Sequence, residues 1–227
     1  MESFSSIYQR AAERKGGKKP LESLLPKKVT QKKLITTSDS DYLAAMTKKI
    51  FQSGFIWRVV ENKWDGFEEV FWGFEPSKLE LASDEQIERM AQDKRIIRNY
   101  VKVKAVRENA YFVKELSKKH NGFGQFIADW STDEITLLWL YLKKHGCRLG
   151  GNTGPYFLRA VGKDTFLLTR DIVNYLIGQG LVNRQPNSQR DLKLVQATFN
   201  DWQQQSGRTM AEISRIVACS VGENFVP

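Results

Sequence analysis

Apolar residues recur along most of the chain at the three- and four-residue spacing of amphipathic helices, and no stretch alternates as a strand would. From residue 39 onward, these runs are separated by short stretches that carry capping residues, glycine or proline. Ser38, Ser83 and Thr169 each stand directly ahead of an apolar run, where N-cap residues are expected. The pattern predicts an all-α protein, a helical bundle of about ten helices.

One break in the helical pattern is rich in glycine. Residues 150–155 are Gly-Gly-Asn-Thr-Gly-Pro, and they lie between the helical runs 134–144 and 156–161. Glycine permits positive φ angles and close backbone approach, while proline suits the first turn of a helix. We therefore predict a hairpin at about 148–156 whose second helix offers backbone N–H groups to an anion. A plain helical hairpin without such a role is the alternative.

The first 38 residues differ in composition from the rest. They are rich in Lys, Ser and Gly, and they contain nine Lys and Arg residues against three acidic ones. Because their apolar patches are short, we predict a basic, disordered arm over residues 1–38, followed by one helical domain over 39–227. Such an arm either contacts nucleic acid or only solubilises the protein.

The whole chain is basic, with a net charge of +9, which favours a polyanionic partner. Its two cysteines, Cys147 and Cys219, provide no disulfide framework. No apolar run is long enough to span a bilayer, and the first residues lack the apolar segment of a secretory signal. We therefore expect a cytoplasmic protein that does not associate with membranes.

Two stretches carry a family resemblance. They are Ile50-Phe-Gln-Ser-Gly-Phe-Ile-Trp57 with Phe71-Trp-Gly-Phe-Glu-Pro76, and Ile96-Ile97-Arg98 with Asn109-Ala110. Both resemble segments of the bacterial 3-methyladenine DNA glycosylase I family, and the similarity runs from about residue 38 to residue 162. Beyond Gly150 the chain is similar to the wider superfamily of helix-hairpin-helix DNA glycosylases.

The resemblance implies an enzyme that turns a damaged base out of duplex DNA and hydrolyses its N-glycosidic bond in base-excision repair. Its expected substrates are alkylated purines of the 3-methyladenine type, and it is expected to be a monomer that lies at the nucleoid when bound to DNA. The hairpin residues that would contact DNA are Arg148, Gly150, Gly151, Asn152, Thr153 and Gly154.

The resemblance also suggests roles for individual side chains. Trp57 matches the residue that stacks on the flipped base, and Tyr42 and Trp72 are further candidates for the base pocket. Asp171 lies where the superfamily has a carboxylate that assists bond cleavage, although Thr169 and Arg170 compete for that register. The alternative for Asp171 is that it only complements the dipole of its helix.

The chain departs from the family at two sites. Lys49 falls where the family has an acidic residue in the base pocket, and a lysine there would repel a cationic base, which puts 3-methyladenine in question. The two Cys and two His of the family's zinc site are not found at its positions, so we expect no metal and no cofactor. In the loop between the hairpin and Asp171 the only lysine is Lys163, so we expect no lyase step.

Two other functions stay open on the sequence. One is a non-catalytic helix-hairpin-helix protein that binds DNA but has lost the base pocket, for which Lys49 is the best argument. The other is a helical scaffold that binds protein through its aromatic surface.

Overall fold

The computed structural model describes residues 2–222, and this part of the chain is helical, without strands. The predicted all-α class is confirmed. Fifteen α-helices occur in the described residues: α1 Phe4–Arg14, α2 Lys18–Ser23, α3 Gln31–Thr36, α4 Asp39–Gln52, α5 Trp57–Glu61, α6 Trp64–Val70, α7 Pro76–Leu79, α8 Asp84–Gln92, α9 Tyr100–His120, α10 Phe123–Asp129, α11 Ile135–His145, α12 Thr153–Val161, α13 Arg170–Gly178, α14 Gln189–Ser206 and α15 Met210–Cys219. Two 3₁₀ turns lie at Trp72–Phe74 and Thr132–Glu134. The number exceeds ten because α1 to α3 precede residue 38 and because the run from 57 to 79 is divided into short helices.

Three of the helices begin at the capping residues that the sequence indicates. The Ser38 hydroxyl accepts a hydrogen bond from the Asp41 N–H (3.1 Å) at the start of α4. Ser83 forms a reciprocal capping box with Gln86 at the start of α8. The Thr169 hydroxyl accepts from the Ile172 N–H at the start of α13. These predictions are confirmed because a cap depends only on residues within one helical turn.

The described chain forms two compact units. Unit 1 comprises the residues up to Val29, Ser131–Thr136, and the residues from Asp164 on. Unit 2 comprises Thr30–Trp130 and Leu137–Lys163. The sequence predicts one domain over 39–227, whereas the contacts assign its last third to a unit that also contains the N-terminal residues.

The prediction of a disordered N-terminal arm differs from the structure, in which residues 1–38 contain α1, α2 and α3. In unit 1, α1 buries Phe4, Ile7 and Ala11 on one face and packs against α15. Arg10 and Arg14 donate from Nε to the carbonyl oxygens of Ser220 and Cys219, each at 3.2 Å, which satisfies acceptors at the end of α15. The apolar stripe of α1 is too narrow to form a core alone, so its partner at the other end of the chain had to be known.

Unit 2 is built around α9, which packs against α4, α7, α8 and α10. Its core is aromatic and aliphatic, and the rings of Phe51 and Phe67 meet edge to face with centroids 4.7 Å apart. At the end of α4 the ammonium of Lys102 lies almost wholly buried and donates to the carbonyl oxygens of Phe51 (3.3 Å) and Ser53 (2.6 Å). Lys102 thus closes the C-terminus of α4 and positions the turn that leads to α5.

Candidate functional site

The turn after α4 and the start of α5 expose an apolar surface on unit 2. Phe55, Ile56, Trp57 and Val59 are all exposed, Ile56 at 72% and Trp57 at 46%. Gly54 makes the turn with a φ of +81°, and the helix that follows is only five residues long. Several large apolar side chains exposed side by side are typical of a binding surface. The structure thus places Trp57 at the surface, whereas an amphipathic helix would ordinarily bury its tryptophan.

Two side chains hold the Trp57 ring from different directions. Tyr156, in α12, meets it edge to face, with ring centroids 5.7 Å apart and an interplanar angle of 90°. Lys49, in α4, places its Nζ 4.7 Å from the centroid of the same ring, within the range of a cation–π interaction. Burial raises the pKa of Tyr156, while Arg159 opposes that shift, so the phenol stays protonated and able to donate.

Lys49 also belongs to a chain of polar contacts. Its Nζ donates to Oε1 of the buried Gln52 (2.8 Å), and Gln52 Nε2 donates in turn to Oε1 of Glu61 at 3.4 Å. Burial lowers the pKa of Lys49, the neighbouring Lys48 lowers it further, and Glu61 opposes both. Gln52 therefore fixes where the ammonium sits beside Trp57.

Of the other two residues predicted for the base pocket, Tyr42 lies in the core of unit 2. Its side chain has no exposed surface, its hydroxyl donates to the Leu34 carbonyl at 2.8 Å, and its ring packs against Phe123 and Phe157. Burial, and then the Asp39 carboxylate, raise the pKa of this phenol well above its ordinary value. The helical spacing of α4 turns Tyr42 inward, so we assign it a packing role and not contact with a base.

Trp72 is partly exposed and lies in a different surface groove. The groove has a volume of about 310 Å³ and is lined by the side chains of α6, α8 and the turn after each: Glu69, Val70, Trp72, Gln86, Arg89, Met90, Asp93 and Arg95. Neither Trp57 nor Lys49 lines it. The structure therefore brings Lys49 and Trp57 together but not Trp72 with them.

The glycine-rich hairpin lies between α11 and α12, as the sequence predicts. Gly151 and Arg148 have φ angles of +59° each, and the Thr153 N–H donates to the Gly150 carbonyl at 3.2 Å. A Cβ on Gly154 would lie 2.6 Å from the carbonyl oxygen of Leu149, so only glycine lets α12 start this close to the preceding turn. Asn152 and Thr153 lie at the N-terminus of α12.

Asn109 holds the hairpin from α9, and sequence reasoning did not assign it this role. Its side chain is wholly buried, Nδ2 donates to the Cys147 carbonyl (3.0 Å), and Oδ1 accepts from the Cys147 N–H (2.8 Å). The amide thus satisfies both backbone groups of one hairpin residue. Asn109 was noted only as part of the Asn-Ala pair in the family resemblance, and its position alone does not reveal a partner 38 residues away.

The thiol of Cys147 lies at the start of the hairpin. Burial, and then a hydrogen bond with Glu108, raise its pKa to about 12. Within residues 2–222, no group of three or more His, Cys, Asp or Glu side chains is arranged to hold a metal ion.

Asp171 lies in the first turn of α13, in unit 1. Thr169 caps this helix with its hydroxyl and Arg170 is the first helical residue, so Asp171 is the only carboxylate in the turn. The C-terminal segment passes close to it, since a Cβ on Gly222 would lie 2.7 Å from Asp171 Oδ1. Thr169 is thus occupied as the N-cap, and Asp171 remains the candidate that carries a carboxylate.

Lys163 is buried and engaged at the end of α10. Its side chain is 5% exposed, and its Nζ donates to the carbonyl oxygens of Ala128 (3.3 Å) and Trp130. A lysine that attacks a sugar carbon must be accessible to it, whereas Lys163 is buried and engaged by two carbonyl oxygens.

The sequence is similar to one protein family and to a curated member of it. A model of the methyladenine glycosylase family matches residues 34–143, which lie mainly in unit 2. DNA-3-methyladenine glycosylase 1 of Escherichia coli (strain K12) is 28% identical over 130 residues, which cover 49% of this chain and 70% of that protein.

Solved structures show the same fold. A structure of 3-methyladenine DNA glycosylase I from Staphylococcus aureus superposes with a TM-score of 0.50 at 23% identity, over 56% of this chain and 77% of that one. The 8-oxoguanine DNA glycosylase of Methanocaldococcus jannaschii superposes with a TM-score of 0.55 at 15% identity, over 92% of this chain and 91% of its own. The second likeness covers both units, whereas the family model ends within α11.

Proposed function

We propose that this chain removes alkylated purines from duplex DNA by hydrolysing the N-glycosidic bond, as part of base-excision repair; the match of residues 34–143 to a model of the methyladenine glycosylase family supports this activity. The observation that carries the proposal is the exposed Trp57 ring, which Tyr156 and Lys49 contact; Lys49 and Trp57 lie within the matched residues, and Tyr156 lies beyond them.

Trp57 is the residue we propose to stack on the flipped base. A base inside a duplex is inaccessible, so the enzyme must extrude the nucleotide and hold the base against an aromatic face. Trp57 offers such a face because it is nearly half exposed, while Tyr156 contacts it edge-on and thereby restrains its orientation. The exposed neighbours Phe55 and Ile56 extend the apolar surface around it.

The hairpin supplies the contact to the DNA backbone in this proposal. At the start of α12 the Thr153 N–H donates to the Gly150 carbonyl, the Tyr156 N–H donates to the Asn152 carbonyl, and Pro155 has no N–H. We therefore assign the contact with a phosphate oxygen to the N–H groups of Gly151 and Gly154. Gly150, Gly151 and Gly154 keep side chains away from this approach, and Arg148 adds positive charge beside it. Binding through phosphates is independent of sequence, as a search for damaged bases requires.

Asp171 is the group we propose to assist bond cleavage. As the glycosidic bond breaks, positive charge develops on the sugar, and a fixed carboxylate stabilises that charge or takes a proton from the attacking water. Lys163 is engaged by Ala128 and Trp130, which supports hydrolysis without a Schiff-base step.

Release of free base from DNA treated with a methylating agent tests the activity. We expect the wild-type protein to release alkylated purines under single-turnover conditions and to leave abasic sites with unbroken strands. Duplex binding that weakens steeply with salt, without base release, would instead identify a non-catalytic DNA-binding protein. A wild-type protein that neither binds duplex DNA nor releases a base would favour a helical scaffold that binds protein.

The Trp57→Ala variant tests the stacking role. Base stacking on an aromatic side chain contributes about 1–3 kcal/mol, so we expect the single-turnover rate to fall by about tenfold to a hundredfold. Tyr111→Ala, which removes another exposed aromatic side chain, is the matched control and should leave the rate unchanged. Equal rates for wild type and Trp57→Ala would show that Trp57 does not stack on the base.

The Asp171→Asn variant tests the carboxylate. We expect the rate of base release to fall by on the order of a hundredfold, because the charge that faces the transition state is lost. Asp191→Asn is the control, since Asp191 also lies in the first turn of a helix whose serine cap, Ser188, accepts from its N–H at 3.0 Å. If both variants lowered the rate equally and only through stability, Asp171 would serve its helix dipole alone.

A further inference from the structure

The charge beside Trp57 bears on which bases the site accepts. Lys49 lies half-buried with its Nζ 4.7 Å from the centroid of the exposed Trp57 ring, so a base stacked on that ring comes close to an ammonium group. One N–H of the ammonium is directed to Gln52 Oε1 at 2.8 Å. An ammonium has three donors, so Lys49 retains hydrogen-bonding capacity beyond this contact.

Lys49, Gln52 and Glu61 form a chain of contacts in which the Glu61 carboxylate does not bind the Lys49 ammonium directly. Gln52 stands between the two groups, accepting from Lys49 and donating to Glu61 at 3.4 Å. The neighbouring Lys48 adds a second positive charge, whose effect on Lys49 exceeds the opposing effect of Glu61. The field next to the Trp57 ring is therefore positive, and it favours a partner with an electron-rich edge.

A positive field of this kind discriminates between classes of damaged bases. N3- and N7-alkylated purine nucleotides carry a positive charge, and like charges a few ångströms apart repel even at a high effective dielectric constant. A carbonyl oxygen on a neutral base, in contrast, accepts a charge-assisted hydrogen bond from an ammonium.

We propose that the Trp57 site is selective for neutral damaged purines that present a carbonyl oxygen to Lys49, such as deaminated or oxidised purines, over purines that carry a positive charge. This inference rests on the proposed glycosylase function and changes the order of its substrates: neutral damaged purines become the preferred ones, and the cationic alkylated purines remain as weaker ones.

The ammonium also suits the chemistry of a neutral leaving base. When the C1′–N9 bond of such a nucleotide breaks, the electron pair leaves with the base, water adds to C1′, and one proton of that water finally neutralises the base. Negative charge thus develops on the base in the transition state, where an adjacent ammonium stabilises it. A cationic base leaves as a neutral molecule and draws no such benefit.

Four duplexes separate charge from hydrogen bonding. They contain, at one position, adenine (neutral, no carbonyl), hypoxanthine (neutral, carbonyl), 3-methyladenine (cationic, no carbonyl) or 7-methylguanine (cationic, carbonyl), and a 2′-fluoro substituent on that sugar prevents cleavage. Affinities of the wild-type protein are measured at one salt concentration. We expect hypoxanthine to bind at least about fivefold more tightly than each of the other three.

Charge reversal at one residue provides the decisive comparison. Lys49→Glu is expected to shift the ratio of hypoxanthine to 7-methylguanine affinity by at least about tenfold toward the cationic base. Lys48→Glu is the matched control, because Lys48 is its neighbour in α4, is also half-buried, and places its Nζ over a different ring, that of Trp64, at 4.6 Å. The control should shift the ratio in the same direction but severalfold less, because the Lys48 ammonium lies over the Trp64 ring and not over the Trp57 ring.

The outcomes distinguish this inference from the proposed function. Tighter binding of cationic bases by the wild type, or a ratio that Lys49→Glu does not move, overturns the selectivity, and release of methylated bases from cleavable duplexes would then still uphold the enzyme. A ratio that depends on Lys49 without release of any base upholds the selectivity of the site and overturns the glycosylase function.

Discussion

At the scale of single residues, the hairpin depends on one buried amide. Asn109 lies on α9, the helix around which unit 2 is built, and it meets both the N–H and the carbonyl of Cys147 with near-ideal lengths of 2.8 and 3.0 Å. These two hydrogen bonds join the Asn109 side-chain amide to the Cys147 backbone, and they orient the turn relative to the core. The same residue therefore links the stability of unit 2 to the conformation of the hairpin.

We expect Asn109→Ala to lower the free energy of unfolding by about 1–3 kcal/mol, because it leaves a buried donor and acceptor on Cys147 without partners. If the hairpin binds DNA, affinity for an undamaged duplex should fall as well. Urea unfolding and duplex titration measure the two effects. Asn62→Ala, at an exposed position in unit 2, should change neither the free energy of unfolding nor the duplex affinity. An unchanged free energy of unfolding for Asn109→Ala would mean that the hairpin does not depend on these two hydrogen bonds.

At the scale of elements, the approach of α12 to the turn before it depends on the absence of a side chain at Gly154. The first turn of α12 lies against the Leu149 carbonyl, which leaves no space for a Cβ. The conformation of Gly151 has a different cause, since its φ is positive but nothing lies within 4 Å of an added Cβ. Gly154 thus sets how closely α12 begins to the turn, while Gly151 sets the direction of the turn itself.

The overlap at Gly154 predicts a cost for alanine substitution that a glycine in open space does not share. Gly154→Ala should destabilise the protein by about 1–3 kcal/mol, because backbone must move to relieve the overlap. Gly178→Ala is the control within a helix: it meets open space at ordinary φ, so it should be neutral or stabilise by up to about 1 kcal/mol. Thermal unfolding distinguishes the two, and a Gly154→Ala protein as stable as wild type would show that α12 can shift freely.

At the scale of the whole molecule, unit 1 is assembled from stretches that lie far apart in the chain. Its N-terminal helix α1 packs against the C-terminal helix α15, and the Glu22 carboxylate pairs with Arg208 at 2.5 Å. Unit 1 is therefore complete only when α1 and α15 are both present. The basic charge of the N-terminal residues lies largely on exposed side chains of α2, α3 and the segment between them.

We accordingly expect Ile7→Ala to lower the free energy of unfolding by about 2–5 kcal/mol, as for other fully buried isoleucines. Ser5→Ala, on the exposed side of α1, is the control and should be neutral. A disordered N-terminal arm would predict no change for either variant, so chemical denaturation of the pair decides between the two descriptions.

How much of the candidate site could be predicted from the sequence differs from residue to residue. The hairpin and the surface position of Trp57 were expected, because glycine content and a family resemblance are both properties of the chain as written. Tyr42 was placed in the pocket on the same grounds, but the helical phase of α4 turns it into the core. Tyr156 was not assigned to the site at all, since nothing near it in sequence indicates that it meets Trp57.

The sequence by itself determined the all-helical class, the caps at Ser38, Ser83 and Thr169, and the glycine hairpin. Each depends on periodicity, capping or backbone freedom within a few residues, so local chemistry is sufficient. Tertiary structure alone decided that the N-terminal residues fold onto α15, that Asn109 holds Cys147, and that Lys49 and Tyr156 meet at Trp57. Those contacts join residues distant in the chain, and burial or packing between such partners leaves no local pattern in the sequence.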